Sequence, residues 1–181
     1  EAPRPVHADP FQAAVTALRQ AESVIIVPGY GMALAQAQFE TVELSRLLEA
    51  AGKKVRFAIH PVAGRMPGHM HVLLSEAEAG WDSLVELPDI NGEFATTDVA
   101  VGHGASDVVN PAASKLVNTP ISGMPILHVH EARHFVVVNL DDKPGYSGVR
   151  NLLYDMPEAI LLWGDAKASL QSLLSSLKEH A

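Results

Sequence analysis

Four apolar, mostly β-branched residues, Val24-Ile-Ile-Val27, run into Pro28-Gly29-Tyr30-Gly31 and then into a segment rich in helix formers. No other stretch restricts this chain so tightly. A short β-branched run stopped by proline and glycine reads as a buried strand. Ala33 to Gln38 then opens a helix that is expected to continue toward Ala51. Strand, Gly-x-Gly turn and helix, in that order, suit a dinucleotide pyrophosphate. Gly29 permits the tight turn, Gly31 lets the backbone approach phosphate, and a helix N-terminus directs its N–H groups at negative charge. The third position of the usual fingerprint holds Leu34 rather than Gly or Ala, which predicts looser packing there. A Gly-rich turn without a ligand stays open as the alternative.

The rest of the chain repeats the theme of short apolar runs between turns. Residues 1–10, rich in proline and charge, read as a tether, and residues 11–181 as a single domain. Asp9 is placed to cap a helix over Phe11 to Ala21, with Phe11, Val15 and Leu18 on its apolar face. After the first strand, Phe39, Val42, Leu44, Leu47 and Leu48 form the expected buried stripe of the next helix, which Gly52 ends. Further strands are expected at Val55 to His60, Leu84 to Leu87, Val99 to Val101 and Ala159 to Trp163. Pro125 to Val129 and His134 to Leu140 are two more apolar runs of that kind. Helices are expected at about Pro67 to Glu78, at Ile90 to Thr97, and after Gly164, the last with Leu170, Leu173, Leu174 and Leu177 on its core stripe. Strands and helices alternating in this way predict one doubly wound α/β domain with a mainly parallel sheet.

Charge and composition narrow the function classes. Thirteen basic against 21 acidic residues give a net charge of −8, which argues against general nucleic-acid or anionic-membrane binding. The absence of cysteine excludes disulfides and thiolate sites. No apolar run reaches the ~18 residues needed to span a bilayer. Two further loops carry chemistry. His60 to His71 combines proline, glycine, histidine and Arg65, whose planar fork suits phosphate. Gly102 to Ala113 places small residues and a carboxylate, Asp107, at a strand end, where α/β sheets hold their sites. His128 and His130, two apart on an expected strand, share a face, but no third ligand stands at a fixed spacing. No metal site is therefore expected.

Six segments, taken together, resemble one family. They are Gly29-Tyr-Gly-Met-Ala-Leu-Ala-Gln-Ala-Gln38, His60-Pro-Val-Ala-Gly-Arg-Met-Pro-Gly-His-Met70, Asp107-Val-Val-Asn-Pro-Ala-Ala113, Gly123-Met-Pro-Ile-Leu127, Gly145-Tyr-Ser-Gly-Val149 and Gly164-Asp-Ala-Lys167. The chain from about Ser23 onward resembles domain III of proton-translocating NAD(P) transhydrogenase, the C-terminal part of its beta subunit. The resemblance implies a Rossmann-like domain that binds NADP(H) in a reversed orientation. The nicotinamide would lie near Gly29, Tyr30, Gly31 and Met32, and Ala33 would also belong to the cofactor site. The loop of His60, Pro61, Arg65 and Met66 would hold the pyrophosphate with the glycine turn, and the loop of Gly145 and Tyr146 would fold over the nucleotide. Asp107 matches an aspartate that couples nucleotide state to proton movement. The resemblance also implies an NAD(H)-binding partner domain and a membrane domain that this chain lacks. It would make the chain a soluble domain on the cytoplasmic or matrix side of a membrane enzyme. No catalytic side chain is implied, because hydride passes between nucleotides.

Two departures stand out. Where the family has Lys-Arg-Ser for the 2′-phosphate, counting back from Gly145 gives Asn139, Leu140 and Asp141. Both cations are gone, so NAD(H) stands beside NADP(H) as a candidate ligand. Gly102-His103 also breaks into what is an apolar strand in the family. A stand-alone dinucleotide sensor without hydride transfer remains the alternative reading of the whole chain.

Overall fold

The apolar runs at the centre of the sheet become strands buried on both faces. Residues 24–27, 99–101 and 135–138 all lie in one hydrophobic core. Strands covered on both sides need no polar alternation, which is why they read as continuous apolar runs. A computed structural model describes residues 9–179. In it β1 (Ser23–Pro28), β2 (Lys54–Ile59), β3 (Leu84–Glu86), β4 (Val99–His103), β5 (His134–Asn139) and β6 (Ala159–Trp163) form one sheet in the order β3-β2-β1-β4-β5-β6. Every pairing is parallel.

The helices are α1 (Pro10–Gln20), α2 (Tyr30–Ala35), α3 (Gln38–Ala50), α4 (His69–Glu76), α5 (Leu87–Ile90), α6 (Ala112–Lys115) and α7 (Ala166–Glu179). From β1 the chain steps outward to β3, then returns and steps the other way from β4 to β6. Right-handed crossovers therefore place the two sets of connections on opposite faces. α3 packs on α4 and α7, and α7 on α1. The β4–β5 and β5–β6 connections hold only α6 and short 3₁₀ turns. Beneath them a small second core forms from Ala112, Ala113, Ile121 and Ile126. The reversal falls between β1 and β4, where the register pairs Val27 with Gly102 and Pro28 with His103.

Residues 1–8 of the expected tether lie outside the described residues. Pro10 is the first residue of α1, and Asp9 caps it by accepting from the Gln12 N–H at 3.0 Å. Four expectations need correction. The helix from Ala33 toward Ala51 is two helices, because Gln36 takes a left-handed conformation (φ 51) and its N–H bonds back to Ala33. The break resets the helical phase, so Gln38, Thr41 and Ser45 join Val42, Leu44 and Leu48 in the buried stripe while Phe39 is exposed. Gly102 and His103 do not interrupt β4 but complete it. The short helix over Ile90 to Thr97 is the end of α5 followed by a 3₁₀ turn at Asn91–Thr96. Finally, Pro125 to Val129 is no strand. Its backbone is bound by Asn91, which donates to Ile126 O and accepts from His128 N–H, and a 3₁₀ turn follows at Val129–Glu131. His128 and His130 therefore share no strand face; their rings meet edge-on at 5.5 Å. Among the described residues no cluster of three metal-ligating side chains occurs, and no helix is long and apolar enough to cross a membrane.

His103 ends β4 in full burial. Thr41 Oγ1 donates to Ala37 O, so it accepts from His103 Nδ1–H at 2.7 Å. Nε2 faces the backbone of Ala166 without a well-formed hydrogen bond. Burial pushes the imidazole pKa down from 6.5 to about 4, only partly offset by Ala166 and the nearby Asp165. Between those two values the unfolded chain binds more protons than the folded one, so stability is full above pH 6.5 and falls as pH drops toward 4. At about 1.4 kcal/mol per unit the loss is roughly 3 kcal/mol. Urea melts of the wild type should show this decline. His103→Asn, which keeps a donor for Thr41, should show a much flatter slope over the same window. Equal slopes would contradict the assignment.

Candidate functional site

The site is built where the two halves of the sheet part. The C-terminal ends of β1 and β4 are neighbours, but their following loops leave toward opposite faces, and such a switch point opens a crevice. Three glycines let the backbones meet there. A Cβ on Gly29 would stand 2.5 Å from Gly104 O, one on Gly31 2.7 Å from Gly104 Cα, and one on Gly104 2.3 Å from Met32 N. Gly104 also has φ +68, a conformation that favours glycine. The amide of Gly29 donates to His103 O, Gly31 to Gly104 O, and Gly104 to Val138 O, each at 2.9 Å. The glycines of the turn thus serve a backbone seam. Gly31 N–H is not free for phosphate, and Met32 N–H bonds to Gly29 O.

Above the seam lies a cleft of about 1170 Å³, at or above the top of the ~300–1,000 Å³ usual for ligand pockets. Of the residues expected from sequence, Gly29, Tyr30, Gly31, Arg65, Asp107, Gly145 and Tyr146 line it. Arg65 lies 5.1 Å over the Tyr30 ring, a cation–π contact that holds the guanidinium at the cleft wall. Tyr146 is fully exposed, but the loop beneath it is fastened. Asp107 accepts from the Ser147 N–H at 2.9 Å and from Ser147 Oγ–H at 2.6 Å, and its carboxyl sits against Gly145. Asp107 therefore ties the loop after β5 to the loop after β4.

Other expected residues do not line the cleft. Met32 is fully buried under the seam, and Ala33 is part of α2 packed on the core. His60 Nδ1 accepts from Val62 N–H, so its Nε2–H donates to Pro125 O at 2.6 Å. It ties two loops together, and burial lowers its pKa despite that carbonyl. His60 and Pro61 line a smaller cavity of about 300 Å³ beside α4, and Met66 is exposed outside the cleft. Asn139 turns inward, donating to Ala105 O and Tyr154 Oη. Leu140 is 70% exposed, and Asp141 Oδ1 accepts from Lys143 N–H. Sequence reasoning missed Gly104, Ser106, Ile121, Met124 and Ser147 as lining residues. Ser106 has a buried hydroxyl with no partner among the described residues, a donor and acceptor still to be satisfied. Gly104 had a legible signal in Gly102-His-Gly, and Met124 one in the Gly123–Leu127 segment; Ile121 had none.

The arrangement offers one guanidinium, an unsatisfied hydroxyl, small backbone-lined walls and a tethered flap. It suits an elongated anionic ligand with planar groups. The family model described as NAD(P) transhydrogenase beta subunit matches residues 3–176. The chain belongs to that family. The NAD(P) transhydrogenase subunit beta of Rhodospirillum rubrum is 45% identical over 174 residues, covering 96% of this chain and 38% of that protein. This transhydrogenase-family chain therefore spans well under half the length of the curated relative. Two solved structures share the fold alone. One is a Mycobacterium smegmatis protein described as thiamin diphosphate-dependent (16% identity, TM-score 0.52, 91% of this chain and 27% of that one). The other is an exopolyphosphatase-related protein from Bacteroides fragilis (14% identity, TM-score 0.51, 93% and 43%).

The Asp107 latch is testable without any ligand. Asp107→Ala removes two charge-assisted bonds, each worth about 1.5–3 kcal/mol. The Ser147 amide should then exchange with solvent deuterium at least tenfold faster, as read by NMR, while amides of β4 and β5 are unchanged. An unaltered Ser147 rate would show that the loop is held by something else.

Proposed function

We propose that residues 11–181 form the dinucleotide-binding domain of a transhydrogenase, and that the switch-point cleft holds a nicotinamide dinucleotide for direct hydride transfer to or from a nucleotide on a partner domain. One observation carries this reading: in a chain of the NAD(P) transhydrogenase beta subunit family, a cleft of about 1170 Å³ at the carboxyl ends of the strands gathers Arg65, Ser106 and the Tyr146 flap. The bound nucleotide supplies the hydride chemistry; the protein binds it, orients it and excludes water. Arg65 would leave Tyr30 to meet the pyrophosphate, the Ser106 hydroxyl would gain its missing partner, and Tyr146 would close over the ligand. Asp107 holds the flap at its base, which makes it the natural point for coupling nucleotide state to events elsewhere in the enzyme. No side chain needs to take or give a proton for hydride transfer itself, and geometry supplies the rate. In this reading an NAD(H)-binding domain approaches the cleft mouth. A separate membrane domain carries protons, and this domain lies on the cytoplasmic or matrix side.

Arg65→Ala should weaken nucleotide binding by roughly 1–3 kcal/mol, the loss of a charge-assisted bond. Tyr146→Ala should chiefly raise the release rate, because a flap slows departure. Calorimetry on the first variant and stopped-flow release on the second check these outcomes. Wild-type affinity in Arg65→Ala together with wild-type release in Tyr146→Ala would remove this cleft as the site.

A further inference from the structure

The part of the loop after β5 that carries Tyr146 is a single four-residue turn. Gly148 N–H donates to Gly145 O at 3.0 Å, which makes Gly145, Tyr146, Ser147 and Gly148 a hydrogen-bonded β-turn. Two of the four are glycines and Tyr146 is fully exposed, so Ser147 supplies the turn's one side-chain anchor. Its hydroxyl is used twice: it donates to Asp107 Oδ1 at 2.6 Å and accepts from Val149 N–H at 3.1 Å. The first of these has the length of a charge-assisted O–H···O⁻ bond, roughly twice as strong as a neutral one. Gly145 makes room for it, since a Cβ there would stand 3.0 Å from the same carboxylate. Beyond the turn the chain is held by other groups: Asn110 donates to Arg150 O at 3.0 Å and Asn151 to Ser106 O at 3.2 Å. Lifting the turn therefore need not disturb those contacts.

We propose that Ser147 is a positioning residue for the Tyr146 flap: its hydroxyl bolts the turn to Asp107 and so sets how long a bound dinucleotide stays in the cleft. The inference rests on reading the cleft as a dinucleotide site. With the turn bolted, Tyr146 swings over an entering ligand by rotating its own exposed side chain, a motion of picoseconds to nanoseconds. Entry is therefore not slowed by the bolt. Departure differs, because a ring packed on the ligand is no longer free to rotate. The cleft then reopens by lifting the turn, which breaks both bonds from Ser147 to Asp107. The backbone N–H bond is available to nearly any residue at this position, whereas the bond from Oγ needs a hydroxyl. Its loss belongs in the release rate, the step that lid opening often limits.

The test is a stopped-flow cycle on the 181-residue chain with wild type, Ser147→Ala, Asp107→Ala and the double variant. The probe is NADH or NADPH, whichever the wild type binds more tightly by calorimetry. Its fluorescence reports association on mixing and release on a chase with excess oxidised nucleotide. Far-ultraviolet circular dichroism confirms that each variant folds. Ser147→Ala should release the nucleotide about tenfold faster, with association within about threefold of wild type. In the Asp107→Ala background the same substitution should add less than about twofold, because residues that act through one bond are not additive. Unchanged release in Ser147→Ala would overturn the bolt, and with faster release in Tyr146→Ala the cleft would remain a dinucleotide site. Equal acceleration in both backgrounds would also overturn it, placing the hydroxyl's effect on Val149 or on the ligand. Binding of neither nucleotide would overturn the dinucleotide reading, and this inference with it.

Discussion

The structure depends on a seam of bare backbone. At the ends of β1 and β4, Gly29, Gly31 and Gly104 approach so closely that a Cβ on any of them would fall within 2.8 Å of main-chain atoms. Hydrogen bonds from Gly29 and Gly31 to His103 O and Gly104 O, and from Gly104 to Val138 O, carry the ladder past the last strand residues. Two loops that must part to opposite faces are thereby held together for one residue more than the sheet requires. The crevice above them has a rigid floor because of this. Loops alone would give a mobile one.

Around that floor, each wall is set by a polar contact that the cleft itself does not use. His60 pins the loop after β2 to Pro125, Asn139 pins the end of β5 to Ala105, and Asn110 accepts from Ala112 and Leu152 while donating to Arg150 O. Asp107 does the same for the flap through Ser147. Buried polar groups must be satisfied, so these side chains are committed. What stays uncommitted is the short remainder: the Arg65 guanidinium beyond its ring contact, the Ser106 hydroxyl and the exposed Tyr146. Rigid support with a few unspent groups is the arrangement that lets binding energy go into the ligand and not into ordering the site.

Much of this was legible in the sequence, for reasons that differ by residue. The strands were readable because burial on both faces leaves an unbroken apolar run, as at Val24–Val27 and Phe135–Val138. The alternation of strands and helices pointed to the doubly wound order. Gly29 and Gly31 were recognisable as required glycines, the first for a tight turn and the second for approach to phosphate, but the close packing of both against Gly104, far along the chain, was not. Sequence reading cannot see such a partner. The same holds for His60 and Asn139, placed correctly at strand ends yet turned into structure by Pro125 and Tyr154. The split between α2 and α3 was hidden because Gln36, not glycine, takes the left-handed turn. Asp107 was visible by position alone, and its bond to Ser147 emerged only when the loops after β4 and β5 came together.

The central claim is that the switch-point cleft between β1 and β4 is where a nicotinamide dinucleotide binds. A competing cavity of about 770 Å³ exists at the other end of the sheet, against α1 and lined by Gln20, Asp98 and Arg133 among others. Backbone amide NMR shifts, recorded while NADH is added to the isotopically labelled chain, separate the two directly. The account predicts shifts concentrated at Tyr30, Ala63 to Arg65, Ala105 to Asp107 and Gly145 to Ser147, with residues around Gln20 and Arg133 unmoved. Shifts centred on Gln20, Asp98 and Arg133, or none at saturating nucleotide, would contradict it.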